Sequence, residues 1–80
     1  MIEVGQIIKL DDNKVYIVAD KINVHNINYL YLVTNSKPIE ILIATEKIEN
    51  GKLVLKEIKD NDELEYVLSQ FAISKNDEID

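Results

Sequence analysis

Residues 29–33, Tyr29-Leu30-Tyr31-Leu32-Val33, are apolar at every position. Successive side chains of a strand point to opposite faces, so this stretch reads as a central strand covered on both sides. Downstream, Asn35-Ser36-Lys37-Pro38 ends it, because Pro38 has no amide hydrogen to give a ladder. Ile39, Ile41 and Ile43 then alternate with Glu40 and Leu42 as a fourth strand. Asn50-Gly51 is the strongest hairpin signal, since both residues tolerate the positive φ of a type I′ turn, and Leu53, Val54 and Leu55 form the fifth strand. Upstream, Val15–Ala19 places Tyr16 and Val18 on one face and Val15, Ile17 and Ala19 on the other. Ile22 and Val24 continue that alternation toward the polar stretch His25–Asn28. Ile2–Leu10 reads as a first strand, with Ile2, Val4, Ile8 and Leu10 on one parity and Gly5 marking a bulge or tight bend. Asp11-Asp12-Asn13-Lys14 is the polar turn that follows.

The chain then changes period. Asp60 stands three residues before Glu63, a capping box, and Leu64, Val67, Leu68 and Phe71 fall on one helical stripe. Asp62 and Glu63 occupy the first turn, where the macrodipole favours anions. The expected fold is α+β: a five-stranded antiparallel meander or small SH3-like barrel with one C-terminal helix. It makes a single β-rich domain over 1–73, with the helix at about 61–72 and a flexible acidic tail over 74–80.

Composition bounds the function. The chain has 80 residues, enough for one domain, and no Cys, so disulfides, thiolate zinc sites and a cysteine nucleophile are out. It shows no apolar run of membrane-spanning length and no basic-then-apolar leader, so a cytoplasmic protein without membrane attachment is expected. The net charge is −6 and every basic residue is Lys. Residues 1–56 balance to zero, so the whole excess lies in Glu57, Asp60, Asp62, Glu63, Glu65, Asp77, Glu78 and Asp80 against Lys59 and Lys75. An acidic chain without Arg is poorly suited to phosphate backbones, and direct nucleic-acid binding is not expected.

Catalytic and ligand motifs are missing. His25 is the only histidine and sits in a polar turn. Asp11 and Asn13 resemble the opening of a calcium loop, but Val15 and Tyr16 stand where a ligand and a glycine belong. Gly5 and Gly51 are isolated, so no phosphate cradle forms, and Ser36, Ser69 and Ser74 lack a nucleophile elbow. Tyr29 and Tyr31 share a face on which Tyr16 could join them, as a base-stacking platform or, preferably, as cross-strand packing. A chain this short is expected to leave little room for a pocket. No enzyme activity, cofactor or metal is expected.

The stretch from Gly51 through Leu64, with Tyr66-Val67-Leu68 and Phe71 after it, is similar to the C-terminal half of a small protein family. Its members are short acidic proteins of low-GC Gram-positive bacteria, found also on their phages and mobile elements. Tyr29–Val33 followed by Glu40-Ile41-Leu42-Ile43 fits the middle of the same pattern, and the resemblance spans residues 10–72. This chain lacks the acidic insertion that such proteins often carry between the third and fourth strands. The resemblance implies no activity and no site residues. Abundant Ile, Lys and Asn with no Arg also suits an AT-rich genome.

The expected function is therefore a small non-catalytic protein-interaction module. The alternative is a phage or mobile-element inhibitor that occupies the groove of a host nucleic-acid enzyme with a DNA-mimicking acidic surface. Partner-binding residues on that account are Asp60, Asp62, Glu63, Glu65, Asp77, Glu78 and Asp80, and the partner is a basic nucleic-acid-binding protein. A third reading is a homodimer formed through a free sheet edge.

Overall fold

A computed structural model describes residues 2–78, with side chains to Ser74. The strands are β1 (Ile7–Lys9), β2 (Val15–Val24), β3 (Ile27–Thr34), β4 (Ile41–Glu49) and β5 (Lys52–Glu57), followed by α1 (Asn61–Glu78). They form one antiparallel sheet in the order β1-β2-β3-β4-β5, curled into a half-barrel whose end strands do not pair with each other. The α+β fold with five antiparallel strands and a C-terminal helix is the expected one.

β3 is covered on both sides from Tyr29 to Leu32, and Val33 at the end of the apolar run lies beyond the helix. Leu30 and Leu32 face the concave side, where they pack with Ile2, Tyr16, Val18 and Ala44. No helix covers this face; curling of the sheet brings Ile8, Leu10, Leu42 and Leu55 inward around it. Tyr29 and Tyr31 face the convex side beneath α1, among Ile43, Ile58, Val67 and Phe71. Phe71 meets Tyr31 edge to face, with centroids 5.5 Å apart.

Two tight turns set the register. His25 (φ 52°) and Asn26 (φ 65°) join β2 to β3, and Asn50 (φ 51°) and Gly51 (φ 77°) join β4 to β5. Positive φ at both central residues is the type I′ signature, whose twist matches that of the flanking strands. Replacing Gly51 with alanine isolates the backbone cost, because a Cβ there would meet nothing within 4 Å. A loss of about 1 kcal/mol is expected from urea denaturation, and an unchanged midpoint would contradict this turn geometry.

Four expectations need correction. The first strand is only Ile7–Lys9, because Gly5 (φ 91°) turns the chain and Gly5 N–H donates to the Val18 carbonyl at 2.8 Å. A β-bulge between Val18 and Asp20 breaks the parity of β2, so Ile22 and Val24 lie on the convex face, opposite Tyr16 and Val18. Leu68 is 42% exposed, and the buried stripe of α1 is Leu64, Val67 and Phe71. Finally, α1 runs on through Glu78, since no Gly or Pro interrupts 72–78, so residues 74–78 are helix and not tail.

Candidate functional site

The acidic residues singled out by sequence do not converge. Asp60 caps α1: its Oδ2 accepts the Glu63 N–H at 3.0 Å and its carbonyl accepts the Leu64 N–H at 2.9 Å. Asp62, Glu63 and Glu65 are exposed on the first turns. Beside them, Lys47, Lys56 and Lys59 join Glu57 and Glu63 around a groove between β5 and the helix start. The surface there is of mixed sign. Asp77 and Glu78 lie in the last helical turn, about 25 Å along the axis from Asp60 at 1.5 Å per residue. Asp80 lies outside the described residues.

What the fold does bring together is apolar. Register pairs Ile7 with Ile17, Ile17 with Val33, and Val33 with Ile41, one β-branched residue from each of four neighbouring strands. All point to the convex face, because each has the opposite parity to a residue of the concave core on its own strand. α1 crosses only the other half of that face, over Tyr29, Tyr31 and Ile43. Ile7 is therefore 63% exposed, Ile41 57% and Ile17 37%. The row is continuous across four strands in register, and a contiguous exposed apolar patch of a monomer is often functional. It has a polar border as well: Lys9 shares the face of Ile7, and Lys14 is ion-paired with Glu40 next to Ile41.

Sequence reading missed this row, since it exists only once four strands are in register. The available signal was that Ile7-Ile8 and Ile17-Val18 are apolar on both parities although too few residues remain to cover both faces.

The concave side has its own polar end. Tyr16 is buried, and its hydroxyl donates to Asp12 Oδ2 at 2.8 Å, while Asp12 Oδ1 accepts the Lys14 N–H at 2.9 Å. Those two bonds, the Lys14 amide first, hold the Asp12 carboxyl below its ordinary range. Burial pushes the Tyr16 phenol up from 10.0 to about 12, helped by the hydrogen bond and charge of Asp12 and the charges of Glu40 and Glu57. Folding favours the protonated phenol, so this contribution to stability is complete below pH 10 and is lost as pH rises through 12. Absorbance titration of tyrosinate should show a last phase near pH 12 that Tyr16→Phe removes. Ionisation of Tyr16 near pH 10 in the folded protein would contradict the burial.

Tyr16 and the pair Tyr29 and Tyr31 occupy opposite faces of the sheet, so the three do not form a stacking platform. His25 is exposed in its hairpin turn. Among the described residues no three His, Cys, Asp or Glu side chains gather as a metal site would require, and no helix is long and apolar enough to cross a membrane. The expectation of little pocket volume is overturned, however. Because the half-barrel stays open, a groove of about 620 Å³ runs between β1 and β5.

Fold and surface together define a class, an open antiparallel half-barrel with one helix on its convex face and an uncovered isoleucine row beside it. No family model, curated protein or solved structure matches the chain. Geometry alone carries the functional reading.

Proposed function

We propose that this chain is a small non-catalytic protein-interaction module that binds a partner protein through the row Ile7, Ile17, Val33 and Ile41. The observation that supports it is that these four residues form one continuous apolar strip that α1 leaves bare. Exposed β-branched residues held rigidly in a sheet lose little conformational entropy on contact, and an apolar centre within a polar border is the usual anatomy of an interface. The alternative, a phage or mobile-element inhibitor with a DNA-mimicking surface, draws support from exposed Asp62, Glu63 and Glu65. Lys47, Lys56 and Lys59 nearby dilute that charge, so the apolar row is preferred.

The two readings separate in a capture experiment from a low-GC Gram-positive lysate after nuclease treatment. Three baits are compared: the native chain, Ile17→Lys with Ile41→Lys, and Asp62→Asn with Glu63→Gln and Glu65→Gln. On the preferred reading the partner is retained by the acid-neutralised bait and lost by the isoleucine variant, with circular dichroism showing both folded. Retention by the isoleucine variant and loss by the acid-neutralised one would overturn it.

A further inference from the structure

The two ends of the curled sheet do not pair with each other, and a groove lies between them. Among the described residues, β1 and β5 each pair on one side only. Along Lys52–Glu57, β5 therefore presents alternate N–H and C=O groups with no ladder partner. The groove between them has an apolar floor of Leu10, Leu42, Ala44, Leu53 and Leu55. Leu10, Leu42 and Leu55 pack against the concave core yet stay partly exposed, and Leu53 is 44% exposed. An extended chain, apolar on its inner side, would dry this floor and satisfy the free edge together. A compact small molecule would do only the first.

Strand direction and charge narrow the occupant further. Strands alternate around the antiparallel sheet, so β1 and β5 run the same way. One added chain running opposite to them would be antiparallel to both neighbours, the more stable pairing. Its N-terminal end would then meet the C-terminal ends of β1 and β5. Asp11, Asp12 and Glu57 lie there at the rim of the groove, with Lys9 the one lysine among its lining residues, so the carboxylates are in excess. A second copy of this chain would bring the same carboxylates and the same net −6, so like charges would meet.

We propose that the groove between β1 and β5 accepts an extended segment of a partner protein as an added antiparallel strand, apolar toward Leu53 and Leu55 and led by lysine or arginine at the end facing Asp11, Asp12 and Glu57. The paired length is that of β5, six residues, or about 20 Å. Because this groove opens on the concave side, it is separate from the isoleucine row, and either site can fail without the other.

The test uses two acetylated synthetic peptides of alternating valine and threonine matched in length to β5, one led by Lys-Lys and one by Glu-Glu. Binding is read by calorimetry, and the contact by backbone hydrogen exchange. The Lys-Lys peptide should bind about tenfold more tightly at low salt and protect amides within 52–57. Leu53→Lys should abolish binding. Asp11→Asn with Glu57→Gln, both at exposed positions, should shrink the difference between the peptides while leaving the fold intact. Equal binding of both peptides, binding of neither, or protection elsewhere would overturn the proposal. So would a peptide-free dimer with 52–57 already protected, which would assign the groove to a second copy.

Discussion

Replacing Glu46 with alanine should cost about 3–5 kcal/mol, the usual effect of breaking one side of a buried ion pair. The Glu46 side chain is 3% exposed, on the concave face. Its Oε2 accepts the Ile2 N–H at 2.9 Å, and its Oε1 accepts from Asn28 Nδ2 at 3.3 Å and lies 3.4 Å from Lys21 Nζ. Lys21 Nζ in turn donates to the Ile2 carbonyl at 2.9 Å. This network ties the N-terminal segment to β2, β3 and β4 and holds Ile2 in the core. Alanine leaves the Ile2 amide without its acceptor and the Lys21 ammonium, itself 18% exposed, without a counter-charge. An 80-residue domain has only about 4–12 kcal/mol of stability in total, so the variant should be largely unfolded at modest urea. Glu46→Leu with Lys21→Met should recover much of the loss, because no charge is then stranded. A Glu46→Ala midpoint equal to that of the native chain would show that the network is not formed.

Phe71→Ala should cost a further independent 3–4 kcal/mol and free the helix from the sheet. Phe71 is 3% exposed, and with Val67 it fills the convex core. Its loss removes both the buried area and the edge-to-face contact with Tyr31, for which about 0.5–1.5 kcal/mol is usual. An isolated helix of this length is marginal in water, so far-ultraviolet dichroism should lose helical signal before strand signal as urea rises. Leu68→Ala, three positions earlier on an exposed face, should change stability by no more than about 0.5 kcal/mol. Equal losses for the two variants would mean that α1 is rotated from the orientation described.

Local chemistry was legible in the sequence wherever a single residue type decides the geometry. Asn50-Gly51 gave its turn through positive φ, Asp60 its cap through one hydrogen bond, and Tyr29–Val33 its central place through unbroken apolarity. Features that arise between distant residues were not. Nothing in Ala19-Asp20-Lys21 announces a bulge, yet that one extra residue sends Ile22 and Val24 to the helix side and Lys21 to Glu46. Glu46 carries no local signal of burial, because its partners Ile2, Lys21 and Asn28 come from three other places in the chain. The acidic residues after position 56 drew attention by their count, but three-dimensional placement separates them along α1 and sets lysines beside the first of them. The isoleucine row needed the register of four strands.

The most direct measurement is a pair of spectra, isoleucine methyl and backbone amide, recorded on labelled protein as a captured partner is added. Methyl resonances of Ile7, Ile17 and Ile41 should shift or broaden together, while Ile43 and Ile58, buried under α1, stay in place. If those three stay fixed while amides of residues 61–65 move, the apolar row is not the binding face and the account is wrong.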